Sequence, residues 1–382
     1  MRDASAARRG SRFPSRLLIA ALALWKSPSR LLSARKPPPH PRRILVLHTL
    51  LLGDTIMLSA LVARLRAKYP EADIVMTCSA AQQALYSGHP WGVRTVVYDE
   101  RDIGTLRALL ATGPYDLVLI PAETRLSWLA VALGAKWIVA FAGDRPAYKN
   151  WPVDSLLPFS TVPIAWGDMA AQLADPAPPR AFRRGDWPAP ASCPFDAPPA
   201  PYCVLHVGAG TPLRLWPAAR WRQVLDALLA RGFAVAITCG AEEAALALEI
   251  DPEQRARHYA GALDLAQLWH LLHGARLTVS LDTGIAHLAR AAGSPLVVLF
   301  GPGSAQLFGG GNFFSAAPER KVFIPDFFCR DENMIFRRKV IWAAHCGRNF
   351  GDCTDPKCMH AIDVAMVLGA IGETLEKSAD AR

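Results

Sequence analysis

Residues 279–302, VSLDTGIAHLARAAGSPLVVLFGP, place a carboxylate, a hydroxyl, a glycine and an imidazole where an apolar strand hands over to a helix. The first turn of a helix presents unpaired N–H groups and a partial positive charge. Gly284 lets a ligand approach that backbone closely, and Thr283 adds a hydroxyl donor, a combination suited to a phosphate. Asp282 would repel a phosphate that it faced, so it reads as a contact for a ribose hydroxyl or as a group that fixes the loop. His287 lies within reach of the same helix end. Taken alone, it reads equally well as a satisfied core histidine.

Two further loops carry chemistry. In HVGAGTPLRLWP, Gly208 and Gly210 follow a strand and leave backbone amides to cradle anionic oxygen. Thr211 can donate a hydroxyl, and Arg214 offers a fork of donors suited to a diphosphate. In LLLGDT, Gly53 and Asp54 stand at another strand-to-helix turn. Asp54 could cap the helix from Thr55 onward, or act as a general base facing the anion site. Neither G-x-G-x-x-G nor G-x-x-x-x-G-K-[ST] occurs, so dinucleotide redox chemistry and P-loop hydrolysis are not supported.

The elements that position these loops read as alternating strands and helices, which argues for α/β layers and parallel sheets. A strand over Ile44 to His48 enters the LLLGDT loop, and an amphipathic helix runs to about Tyr69. The strands DIVMT, RTVVYD, YDLVLIPA and KWIVAF follow. Proline is dense from Asp175 to Pro201 and cannot sustain a helix or a central strand there. The second half then reopens with YCVLHVGAG, repeating the Val-Leu-His strand end of ILVLHTLLLGD. A helix from about Ala218 to Arg231 follows, with Pro217 at its start, then the strand FAVAITCG, the helices AEEAALALEI and LDLAQLWHLLHGA, and the strand RLTVSL. The division expected is a basic N-terminal segment (1–42), a first Rossmann-like domain (43–174), a proline-rich linker (175–201), a second Rossmann-like domain (202–360) and a C-terminal helix and tail (361–382). In doubly wound sheets ligands bind outside the carboxyl ends of the strands, so the expected site is the cleft where the two domains face each other.

The 382 residues carry a formal net charge of +9, which suits an anionic partner such as a nucleotide, a phosphorylated glycan or a membrane surface. No Lys/Arg-rich block with interleaved aromatics supports nucleic acid. The N-terminal segment has an apolar run from Leu17 to Trp25, about half of the ~20 residues needed to span a bilayer. It reads either as a basic amphipathic segment on an anionic membrane face or as a disordered tail. Cys329, Cys346, Cys353 and Cys358 cluster near the C-terminus without tight C-x2-C pairs. They read as a structural metal site, a disulfide or reduced thiols.

These motifs together resemble glycosyltransferase family 9, the ADP-heptose:lipopolysaccharide heptosyltransferases, over about Arg43 to Val367. SLDTGIAHLARAAGSPLVVLFGP is similar to the family's Asp-[ST]-Gly-x-x-His-x-Ala-x-Ala block. LHVGAGTPLRLWPAARW resembles its donor loop, ILVLHTLLLGDTIML its acceptor-side motif and CMHAIDV its closing segment. The resemblance implies a GT-B fold, two Rossmann-like domains across a cleft, and inversion of the anomeric centre without a metal or other cofactor. It implies Asp54 as general base and Arg214 in the place of a donor-phosphate lysine. Thr283, Gly284 and His287 become diphosphate contacts, joined on the donor side by Gly208, Gly210 and Thr211. Asp282 becomes a sugar or ribose contact, Glu242 a ribose contact and Leu263 a neighbour of the adenine. His48 and Gly53 fall on the acceptor side, where His48 stands at a commonly basic position and Leu50 and Leu51 at commonly polar ones.

The function so implied is transfer of a sugar, heptose in the family, from a nucleotide diphosphate to a phosphorylated glycolipid of the lipopolysaccharide core or a related envelope glycan. The expected location is the cytoplasm, with peripheral contact at the inner membrane. Two other readings stand beside it: a non-catalytic nucleotide-sugar or glycan-binding scaffold, and a GT-B-like sugar-nucleotide epimerase.

Overall fold

A computed structural model describes residues 11–32, 35–316 and 318–380. It contains two six-stranded sheets. The first has β1 (Arg43–Val46), β2 (Asp73–Cys78), β3 (Arg94–Val97), β4 (Leu117–Ile120), β5 (Trp137–Phe141) and β6 (Ser155–Leu157), in the order β3-β2-β1-β4-β5-β6. The second has β7 (Tyr202–His206), β8 (Ala234–Cys239), β9 (Arg257–Ala260), β10 (Leu277–Leu281), β11 (Leu296–Leu299) and β12 (Glu319–Val322), in the order β12-β11-β10-β7-β8-β9. Every pair within the two sheets is parallel. The two halves therefore share one doubly wound topology, and in each the strand order reverses at the carboxyl end of the first strand, where such sheets bind ligands.

Central strands such as β4 and β11 are buried at every position, as expected of parallel strands covered on both faces. β6, β9 and β12 were not expected from the sequence. All three are edge strands of three or four residues, and ERKV and RHYA carry the charge that an edge tolerates.

The N-terminal segment reads from the sequence as an amphipathic membrane-facing segment or a disordered tail, and its described part is ordered. Residues Phe13–Leu32 form a helix, α1, that docks on the first domain. Ala23 is buried, Lys26 Nζ donates to Ala132 O at 2.7 Å, and Arg30 donates to Pro152 O at 3.0 Å and to Asp154 Oδ2 at 2.7 Å. Residues 1–10, also part of that expectation, lie outside the described residues.

The proline-rich stretch is irregular, as expected, but it is not a free hinge. Phe182 and Trp187 are buried. Their rings meet Trp91 and Phe313 at centroid distances of 5.9–6.3 Å, so the stretch is stapled to both halves. Trp187 Nε1 donates to Leu85 O at 3.1 Å. Further on, Arg338 reaches back to the first sheet, where Nε and Nη2 donate to Ala142 O and Phe141 O at 2.7 and 2.9 Å. The C-terminal helix Val364–Asp380 packs on β10–β12 and on the helix Ala218–Ala230.

Candidate active site

After β1 the chain turns through Thr49–Leu51 into the short helix α2 (Leu52–Met57), and α3 (Ser59–Lys68) follows. The single helix expected as far as Tyr69 is thus broken at Leu58. Asp54 sits in the first turn of α2 but does not cap it, and its carboxylate takes no hydrogen bond or ion pair among the described residues. Burial pushes this carboxyl up to about 6. Asp282 adds to the rise and Arg214 opposes it, so both groups from the second domain lie within electrostatic reach. Asp54 thus shares an electrostatic neighbourhood with Asp282 and Arg214 of the second domain.

At this cluster the two halves touch through two glycines. A Cβ on Gly53 would lie 2.8 Å from His287 Cδ2 and 3.3 Å from Gly284 Cα. One on Gly284 would lie 3.1 Å from Leu52 Cβ and 3.2 Å from Gly53 N. The turns meet backbone to backbone because neither carries a side chain. In this arrangement Leu52 and Gly53 occupy the approach to Gly284 that the sequence reading gave to a phosphate.

Arg214 is half-buried at the end of its loop, and Nη1 donates to the Asp282 backbone carbonyl at 2.7 Å. The Asp282 carboxylate is buried, with a pKa raised by desolvation, and Oδ2 has no hydrogen-bond partner among the described residues. Gly303 makes room for it, since a Cβ there would collide with Oδ2. Thr283 caps its helix, Oγ1 accepting from Ile285 N at 3.3 Å.

His287 is fixed by two residues that the sequence reading passed over. Arg290, fully buried, donates from Nη1 to His287 Nδ1 at 2.8 Å. Glu319 at the head of β12 accepts from Arg290 Nε and Nη2 at 2.9 and 2.8 Å. An arginine has no lone pair to accept with, so His287 Nδ1 is the acceptor and the proton of the neutral ring sits on Nε2. Burial, then Arg290 and Arg214, hold the ring far below its ordinary pKa. His287 is thus a neutral Nε2–H donor beside Gly53, not a base. The signal lay in an arginine within the HLARAAG run, a charge on an otherwise apolar helix.

The donor loop differs from expectation in detail. Glu243 Oε1 accepts from Ala209 N at 2.7 Å and Oε2 from Gly240 N at 2.8 Å. The Ala209 amide is therefore not free to cradle an anion. A Cβ on Gly208 would run into the same carboxylate, whereas Gly210 faces open space. Thr211 Oγ1 accepts from Leu213 N at 3.4 Å. Glu242 is exposed and away from these contacts, so its neighbour Glu243 is the carboxylate that shapes the loop. Leu263 packs, partly buried, against the larger core.

On the acceptor side, His48 is buried and its pKa is pushed down to about 3 by desolvation. Nδ1 accepts from Leu50 N at 3.2 Å, which leaves Nε2–H as its donor. His48 to Leu52 line a cleft of about 560 Å³ together with Ser79, Tyr98, Glu100 and Arg125, closed from the second domain by Leu265. Cys329, Cys346, Cys353 and Cys358 line a separate cavity of about 210 Å³ with their thiols free. Among the described residues no three His, Cys, Asp or Glu side chains are posed to hold a metal ion. Nor is any helix among them long and apolar enough to cross a membrane.

Residues 158–317 match the model of glycosyltransferase family 9 (heptosyltransferase). The resemblance read from the sequence holds. Lipopolysaccharide heptosyltransferase 1 of Pseudomonas aeruginosa is 32% identical over 207 residues, 49% of this chain and 55% of that protein. Lipopolysaccharide heptosyltransferase 1 of Salmonella typhimurium is 29% identical over 119 residues, 29% of this chain and 35% of that protein. The chain thus spans about half, or less, of the curated relatives that it matches. Among solved structures, the ADP-heptose lipopolysaccharide heptosyltransferase II of E. coli superposes with a TM-score of 0.64 at 18% identity, over 88% of this chain and 99% of that one. The fold is the GT-B arrangement of two Rossmann-like domains.

Proposed function

We propose that the chain is a glycosyltransferase that moves a sugar from a nucleotide diphosphate to an envelope glycan acceptor, inverting the anomeric centre without a metal. The relatives' names point to heptose, to ADP as its carrier and to the lipopolysaccharide core as the acceptor. The observation that carries the reading is one cluster formed by Asp54 of the first domain with Arg214 and Asp282 of the second, in which the base candidate's pKa stands near 6.

An acceptor hydroxyl entering beside His48–Leu52 attacks the anomeric carbon on the face away from the diphosphate. Asp54 takes its proton as the new bond forms, and a pKa close to the working pH suits that task. The bond from the anomeric carbon to the diphosphate oxygen breaks, and its electrons leave with that oxygen. Arg214, the Thr283 hydroxyl and the positive end of the helix Gly284–Ala292 stabilise the developing charge. Asp282 Oδ2 is a buried acceptor without a donor, which a hydroxyl of the donor sugar or ribose satisfies. His287 Nε2–H adds a neutral donor. The Gly53–Gly284 contact closes the cleft, so loading the donor requires the halves to part. The contacts made by Phe182, Trp187 and Arg338 must move with that opening.

The test incubates the full chain with ADP-heptose, with and without a deacylated core oligosaccharide. Transfer that needs the acceptor and disappears in Asp54→Asn is the expected result. Epimerised donor in the absence of acceptor would favour an epimerase, and donor binding with neither product would favour a scaffold.

A further inference from the structure

The cleft beside His48–Leu52, of about 560 Å³, falls within the ~300–1,000 Å³ usual for small-molecule sites. Its lining sets two cations, Arg12 and Arg125, against three carboxylates, Asp99, Glu100 and Asp102. Both cations are already paired. Arg12 Nε lies 3.4 Å from Glu100 Oε2. Arg125 pairs with Glu100 Oε1, lies 3.5 Å from Glu123 Oε2 and donates to Thr49 Oγ1 at 2.6 Å. Other cations nearby are placed elsewhere. Arg16 and Arg337 line the neighbouring groove under α1, and Arg214 is anchored on the Asp282 carbonyl.

Asp99 and Asp102 are exposed and make no ion pair among the described residues. Asp99 Oδ1 accepts from Arg101 N at 2.9 Å. Asp102 Oδ1 accepts from Gly104 N at 2.7 Å, as the cap of the helix Ile103–Ala111. The charge left over in the cleft is therefore negative. The rest of the lining is neutral. His48 is buried and held uncharged by desolvation, and its Nε2–H has no partner among the described residues. Tyr98 is buried, and its phenol is pushed up by burial and then by Glu100, so it stays un-ionised. Leu50, Leu51 and Leu52 add apolar surface, of which Leu51 is 79% exposed.

A phosphate or carboxylate entering here would find no free cation, would shed water against leucines and would meet two unpaired carboxylates. Placing like charges together is a way for a binding surface to turn away the wrong partner. An uncharged sugar meets none of these costs. Its hydroxyl oxygens can accept from His48 Nε2–H, and its C–H faces can lie on the leucines.

We propose that the cleft selects an acceptor sugar free of phosphate and carboxylate, and that Asp99 and Asp102 reject an anionic one. The proposal rests on the reading of this cleft as the acceptor side and names the class of sugar that it takes. Any phosphate of the acceptor then lies outside the cleft, on another part of the glycan.

The test titrates methyl glucoside, methyl galactoside and methyl mannoside, each beside its 6-phosphate, against the full chain at low ionic strength, with and without ADP. At least one neutral glycoside should bind, and more tightly than its phosphate by at least about tenfold, because the phosphate is both desolvated and repelled. Added salt should narrow that gap by screening the exposed carboxylates. Asp99→Asn with Asp102→Asn keeps both side-chain acceptors, and asparagine caps a helix as well as aspartate does. The pair should narrow the preference by about threefold or more, as expected of exposed charges. Phosphates that bind as well as their parent glycosides would overturn the proposal. So would the failure of every neutral glycoside to bind, or a preference unmoved in the asparagine pair. Binding needs no turnover, so a neutral preference in a chain that transfers no sugar would count against the transferase reading alone.

Discussion

β1 and β7 hold the same place in their sheets and end in the same Val-Leu-His, yet the loops that follow carry opposite charge. The first runs from His48 to Asp54 on the short helix α2, and the second from His206 to Arg214 before the helix Ala218–Ala230. Both histidines are buried and neutral, His48 held near 3 and His206 near 4 by desolvation, and each is tied to a threonine of the neighbouring strand. His48 N donates to Thr77 Oγ1 at 2.8 Å, and His206 Nδ1 meets Thr238 Oγ1 at 2.9 Å. The repeated scaffold fixes the strand ends, while one residue in each loop decides what those ends do. One end offers a carboxylate with no partner of its own, the other a guanidinium anchored on a backbone carbonyl.

Removing the carboxylate breaks the comparison most severely. Asp54→Asn is expected to lower turnover by ~10²–10⁴-fold, the usual worth of a general base, with donor affinity retained. In the parent, the acid limb of kcat/KM should lie near 6, the value to which burial raises Asp54. The same shift has a stability sign. Folding raises this pKa, so the folded state holds the proton more tightly, and stability attached to it is lost as pH rises from about 4 through 6. Asp54→Asn should therefore raise Tm at pH 7.5 and leave it nearly unchanged at pH 4. The buried histidines act oppositely. His48, His206 and His287 take up protons only when unfolded, so acidification below their ordinary pKa, about 6.5, costs stability. Thermal melts of parent and Asp54→Asn across this range separate the two effects.

The second loop's partner helix provides the next test. Arg290→Met leaves Glu319 buried without its cation, which typically costs ~3–5 kcal/mol. Adding Glu319→Leu should recover most of that loss in denaturant melts. The double variant should still show a raised donor KM, because His287 Nδ1 would no longer be fixed as an acceptor. A double variant with both stability and donor KM of the parent would make the Glu319–Arg290 pair purely structural.

Arg214→Ala removes the cation that faces Asp54. A hydrogen bond to a charged group is worth ~1.5–3 kcal/mol, so donor affinity and turnover together should fall by one to two orders of magnitude. Arg214→Lys should restore part of the loss, because it keeps charge but not the fork. An unaltered donor KM in Arg214→Ala would leave Asp54 without the counter-charge that the comparison assigns to it.

What could be read from the sequence follows where burial dominates. The central strands and both Val-Leu-His ends are apolar runs, and the Asp-Thr-Gly and Leu-Gly-Asp turns carry residue types with few structural uses. β6, β9 and β12 were illegible because an edge strand needs no apolar run. Phe182 and Trp187 were hidden by the prolines around them, although two large aromatics in an irregular stretch are themselves a sign of anchoring. Arg290 and Glu319 lie 29 residues apart in the chain, and only the parallel register of β11 with β12 brings them together. The closure of Gly53 on Gly284 depends on how two domains meet, which no local pattern encodes.

The finest test concerns adjacent glutamates in the second loop's neighbourhood. Glu243 accepts from two backbone amides and fills the space beside Gly208, so Glu243→Gln keeps the shape but replaces one acceptor by a donor. One amide is left unpaired, at a cost of ~1–3 kcal/mol. Both Tm and donor affinity should fall, because the 208–211 loop is what that carboxylate holds. Glu242 is exposed, so Glu242→Gln should stay within ~0.5 kcal/mol of the parent and leave donor KM unchanged. A raised donor KM without a change in Tm would return Glu242 to the ribose contact that the family resemblance implies. It would also show that the donor settles on the far side of the loop from Glu243.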